Sequence, residues 1–96
     1  MVVWWASGEL DVANEHDVVE SVTASFDDAG KTVVVDLSQL TFIDASGVRA
    51  LMRCYRCALA CRVRFYVRGA EKAVARVLDL TGVTGPLSDP DWSSPG

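Results

Sequence analysis

The chain has 96 residues, 50% of them hydrophobic and 23% charged, with a formal net charge of −4. That length holds one small domain with a core, and the composition is not that of a chain disordered throughout. The acidic balance argues against general attraction to nucleic acid or anionic lipid, and no apolar run is long enough to span a bilayer. The N-terminus lacks the basic and apolar regions of a signal peptide, so a cytoplasmic location and no membrane insertion are expected. The charge is uneven: seven of the 13 acids lie in the first 30 residues, and six of the nine bases lie between Arg49 and Arg68 with no acid among them. A two-ended distribution of this kind either orients a protein partner or marks two solvated faces.

Met1 to Ala6 reads as a strand, broken at Ser7-Gly8 and followed by a short extended piece, Glu9-Leu10-Asp11. The helical spacing of Val18, Val19, Val22, Phe26 and Ala29 predicts a first helix over Asn14–Ala29, capped by Asn14 and stopped by Gly30. Lys31 to Leu37 is β-branched and continuously apolar, as in a central strand covered on both faces, with Asp36 at its exit and 38–43 as a loop. Ser46 to Ala60 reads as a second helix with Val48, Leu51, Met52, Tyr55 and Leu59 inward, an arginine stripe (Arg49, Arg53, Arg56) to one side and three cysteines on another.

Arg62 to Arg68 alternates as a strand with one wet face, Ala70 to Leu80 forms a third helix with Val74, Val77 and Leu78 inward, and Val83 to Leu87 reads as a short edge strand limited by Pro86. Residues 88–96, with two prolines, read as a flexible tail after a domain over 1–87. Alternating strands and helices imply an α/β fold, a small and mostly parallel sheet with about three helices packed on it.

Sites in such sheets form beyond the carboxyl ends of the strands, and the junction Asp44-Ala45-Ser46-Gly47 lies at such an end. Ser46 stands near a helix N-terminus, where unpaired backbone N–H groups favour negative charge and would receive a phosphate. Helix capping by Asp44 or Ser46 explains the same residues with no function. Asp11 fits turn chemistry as well as partner contact, and Gly47 fits close backbone approach.

Other chemistries find little support. Cys54, Cys57 and Cys61 give three thiols where a structural zinc site takes four ligands, and the single histidine, His16, is on another helix. The thiols read instead as small packing residues, and no metal or other cofactor is expected. No catalytic set of Ser, His and Asp, no paired carboxylates and no phosphate loop is placed by the sequence, so an enzyme is not indicated.

Four segments in order, Gly8-Glu9-Leu10-Asp11, Val33-Val34-Val35-Asp36-Leu37-Ser38, Phe42-Ile43-Asp44-Ala45-Ser46-Gly47 and Val77-Leu78-Asp79-Leu80-Thr81-Gly82-Val83, resemble the STAS domain of bacterial anti-sigma factor antagonists. The resemblance runs from about Val2 to Leu87. It implies a small α/β fold with helices on a mixed sheet, and a partner that is both an anti-sigma factor and a serine kinase. It further implies that the unphosphorylated domain captures this partner and releases sigma, and that the kinase ends the capture by phosphorylating a hydroxyl just before the motif glycine, here Ser46. On the same resemblance Asp11, Asp44, Ala45, Gly47, Val48 and Arg49 are the expected partner-binding residues. Ala45 departs from the family, which often carries a second hydroxyl there, and the family's first strand is expected to be trimmed here. Relatives with this fold that serve as unphosphorylated subunits of transporter or lipid-transport complexes give the alternative expectation.

Overall fold

A computed structural model describes residues 1–88. Within it the elements are β1 (Val2–Leu10), α1 (Glu15–Thr23), β2 (Thr32–Ile43), α2 (Ala45–Cys61), β3 (Arg64–Arg68), α3 (Lys72–Leu80) and α4 (Thr84–Leu87). The strands form one sheet in the order β1-β2-β3, and both pairings are parallel. Parallel neighbours need crossover connections, and α1 and α2, which supply them, pack together over one core. The sheet is thus wholly parallel, and four helices take the place of the expected three.

The core lies between the sheet and the helices. Val33, Val35 and Leu37 point into it from β2, Val22 and Phe26 from α1 and the turn after it, and Leu51 and Cys54 from α2. The Phe26 and Phe65 rings meet edge to face at 5.9 Å, an arrangement aromatic quadrupoles favour. Val34, fully buried, faces the reverse side between Val3 and Tyr66, its partners on the two neighbouring strands. The β-branched run is therefore buried on both faces, as its continuous apolarity implies.

Several expected boundaries move, each for a local reason. Ser7-Gly8 does not end β1: the strand continues through two register shifts, and Gly8 absorbs the irregularity at φ +74°. Beyond that point β1 pairs with 39–43, so the expected loop over 38–43 is strand, held also by Thr41 Oγ1 donating to Gly8 O at 2.9 Å. The helix α1 stops at Thr23, where Thr23 and Ser25 hydroxyls bond to backbone carbonyls one turn back. Gly30 (φ +86°) instead turns the chain so that its N–H meets Arg62 O at 2.8 Å. Asn14 makes no side-chain cap; its amide is used backward, accepting from Asp11 N and donating to Glu9 O.

The expected edge strand over Val83–Leu87 is the short helix α4, whose Leu87 is fully buried and whose Pro86 falls in the first turn, where a missing N–H costs nothing. The third helix begins at Lys72, and Glu71 occupies its N-cap position without a side-chain bond. Ser88, counted with the tail, bonds through its hydroxyl to Thr84 O; the rest of the expected tail, 89–96, lies outside the described residues.

The inward face of α2 is wider than expected: Val48 and Leu51 are in the core and Met52 and Tyr55 pack against it, as expected. Leu59 is 60% exposed, whereas Gly47, Ala50, Cys54 and Ala58 are buried beside Leu51. Small side chains at that spacing let the helix lie close against its neighbours, and this close approach decides the face over side-chain size. Cys54 is therefore a core residue, not one on a face away from it, and Cys57 and Cys61 pack at the edge of the core.

Candidate functional site

The carboxyl ends of β1 and β2 stand side by side, with Leu10 paired to Ile43. Each strand is followed at once by an acid. Asp11 turns the chain: its carboxylate accepts from Ala13 N at 3.0 Å, and its carbonyl accepts from Glu15 N at 2.9 Å. Asp44 is the N-cap of α2, in extended backbone, and its carboxylate accepts from Gly47 N at 3.0 Å. Asp44 N–H in turn donates to Leu10 O, tying the helix start to the end of β1.

Gly47 is where that tie becomes tight. A Cβ built on it would lie 2.4 Å from Leu10 O and 2.6 Å from Ile43 Cγ1, so no larger residue fits without moving backbone. Gly47 and Val48 are buried under the junction, while Ala45 and Arg49 are exposed on it. The six residues expected to meet a partner therefore form one patch, four at its surface or rim and two beneath.

Ser46 lies between these groups and is 8% exposed. Asp44 supplies the cap, so Ser46 Oγ is not engaged in capping; it accepts a hydrogen bond from Arg49 Nη2 at 3.0 Å. This resolves the choice between Asp44 and Ser46 as the cap. The contact between Ser46 and Arg49 is a feature that sequence reasoning missed, although the i,i+3 spacing on a helix carries the signal for it.

Asp36 belongs to a different arrangement on the reverse face. It lies inside β2, at the point where β3 ends, and not at the end of the strand. Its carboxylate accepts from Ser38 N at 2.8 Å and from Arg68 Nε at 3.0 Å. The Ser38 hydrogen bonds first, and the Arg68 charge after them, hold its carboxyl below the usual carboxylate range. Burial pushes the Cys54 thiol up to about 12 and raises Cys57 too, with a hydrogen bond to the free Cys61 thiol adding to the rise. Neither is the depressed thiol that metal binding or redox catalysis uses. Among the described residues no three His, Cys, Asp or Glu side chains gather as a metal site. The cleft between β3, α3 and α4, about 180 Å³, is lined by Val67, Arg68, Leu78 and Leu87 and does not include the Ser46 junction.

A family model described as the STAS domain matches residues 2–87. No curated protein matches the chain in sequence. Among solved structures, a sulfate transporter family protein from Wolinella succinogenes superposes with TM-score 0.76 at 16% identity, covering 91% of this chain and 70% of that one. The unphosphorylated form of the anti-sigma factor antagonist SpoIIAA gives TM-score 0.74 at 24% identity, over 88% and 74% of the two chains. The SulP transporter STAS domain from Vibrio cholerae gives 0.71 at 16% identity, over 91% and 67%. At these identities the likeness is one of fold.

Proposed function

The chain belongs to the STAS domain family, and on that premise we propose that it is an anti-sigma factor antagonist whose partner is an anti-sigma factor with serine kinase activity. The observation that supports this is the division of labour at the start of α2: Asp44 caps the helix, which leaves the Ser46 hydroxyl, the acceptor on the family resemblance, outside the cap. In this account the domain is a binding module and not an enzyme, and it acts in the cytoplasm. No helix among the described residues is long and apolar enough to cross a membrane.

The unphosphorylated junction, with Asp11, Asp44, Ala45 and Arg49 at its surface and rim, captures the partner, while Gly47 and Val48 hold that surface in place. Phosphorylation moves the γ-phosphoryl group of ATP to Ser46 Oγ. The new O–P bond forms as the β–γ bridging bond breaks, ADP leaves, and the hydroxyl proton passes to a base of the kinase. The product carries about −1.5 to −2 added charges at neutral pH, in contact with the partner. Desolvating that charge and setting it against acids weakens the complex; a loss of about 3 kcal/mol is about a 100-fold loss in affinity.

The test is incubation with the serine kinases of the source cell and ATP, followed by mapping of the phosphate. The expected product is phosphate on Ser46, absent in Ser46→Ala; phosphate elsewhere, or none, overturns the proposal. The transporter-type STAS structures that share this fold favour a second reading, a constitutive subunit of a transport complex. Co-purification with a membrane transporter and no phosphate on Ser46 would select it.

A further inference from the structure

Arg49 follows Ser46 by three residues, so the two share one side of α2, and its guanidinium already donates to Ser46 Oγ at 3.0 Å. Among the described residues Arg49 takes part in no ion pair. Acids stand on the elements that meet at the junction, and Arg53 lies two turns along α2. Asp44 is the cap two residues before Ser46, Asp11 follows the strand end that pairs with Ile43, and Glu15 and Asp17 open α1, which packs on α2. The helix terminus offers less to an anion than its position suggests, because Asp44 N–H is taken by Leu10 O and Gly47 N–H by the Asp44 carboxylate.

A phosphoryl group on Ser46 would thus enter an acidic setting with one guanidinium in hydrogen-bonding reach of the same oxygen. We propose that Arg49 is the internal counter-ion of phosphorylated Ser46, a positioning residue that passes from the hydroxyl oxygen to the phosphate oxygens and holds the group on the helix face. This rests on the reading of Ser46 as the phosphoacceptor. A planar guanidinium can take two phosphate oxygens at once, and charge-assisted bonds of this kind are the strong ones. The consequence for the switch is double. Phosphorylation adds negative charge to the binding surface and also withdraws the Arg49 cation from any carboxylate of the partner. Meanwhile the domain keeps its fold, because the new charge is paired within the helix.

The experiment uses the full chain with phosphoserine inserted at 46 during translation, so no kinase is needed. The second ionisation of the phosphate is followed by 31P NMR against pH in the otherwise wild-type chain and in Arg49→Gln, Arg49→Lys and Arg53→Gln. Pairing favours the dianion, so the wild-type value should lie below that of Arg49→Gln by about half a pH unit or more. Arg49→Lys should fall between, having charge without the fork, and Arg53→Gln should match wild type. Equal values in wild type and Arg49→Gln, or an equal effect of Arg53→Gln, would overturn the pairing. The two proposals fail separately: absence of kinase labelling refutes the phosphoacceptor reading and leaves this titration unchanged, while a flat titration series refutes Arg49 alone.

Discussion

Asp44 and Ser46 divide the chemistry of one helix start between them, and their replacement separates the two roles. Asp44→Ala removes the bond to Gly47 N–H and should cost about 1 kcal/mol of stability. Ser46→Ala loses only a contact with an exposed arginine and should cost less, about 0.5 kcal/mol. Urea denaturation of both variants checks this; a Ser46→Ala loss as large as that of Asp44→Ala would make Ser46 part of the cap. The sequence alone left either residue as the cap, because Asp and Ser both accept from a helix N–H and only backbone position decides between them. The contact from Arg49 was legible as spacing but not as a bond, since a long side chain has many rotamers.

At the scale of elements, the junction is built by close approach. Gly47→Ala would drive a methyl group into Leu10 O, a backbone atom that cannot yield without parting β1 from α2. The expected loss is about 2–3 kcal/mol, measured by denaturation, with the amide signals of residues 10–12 and 44–48 displaced. A neutral variant would show that the strand end and the helix are not held this tightly. The same closeness explains why the buried face of α2 was only partly legible. Size-weighted periodicity found Val48 and Leu51 but also selected Leu59 and passed over the buried Ala50, Cys54 and Ala58.

Thiol labelling follows from that packing: Cys57 and Cys61 should react slowly in the native state, and Cys54, fully buried and with its thiol pushed up to about 12, only after unfolding. Native labelling of all three at one rate would contradict it. In β2, the β-branched run identified the first half of the strand. The second half was hidden because its pairing with β1 is irregular at Ser7-Gly8, which breaks the period of two.

Across the whole molecule, element order and the four motifs made the α/β fold and its family readable, since alternating strands and helices admit few topologies. The parallel pairing of all three strands, the fourth helix and the Asp36–Arg68 pair across β2 and β3 depend on contacts distant in sequence. Asp36, held first by its bonds to Ser38 and then by Arg68, should govern acid stability. Asp36 titrates below the ordinary value of 3.8 in the folded state, so its contribution is complete above that value and is lost as pH falls through its folded one. Asp36→Asn should be less stable than wild type at neutral pH, by about 1–2 kcal/mol, and the two should converge in acid. Parallel pH profiles of stability would contradict the assignment.

Under the proposed function, a phosphate on Ser46 would add negative charge at the junction itself. The direct measurement is the affinity of the purified chain for the proposed anti-sigma factor partner by calorimetry, with Ser46 unmodified and with phosphoserine at 46. The account predicts binding that weakens about 100-fold or more on phosphorylation, with the fold retained. Equal affinity of the two forms would contradict it.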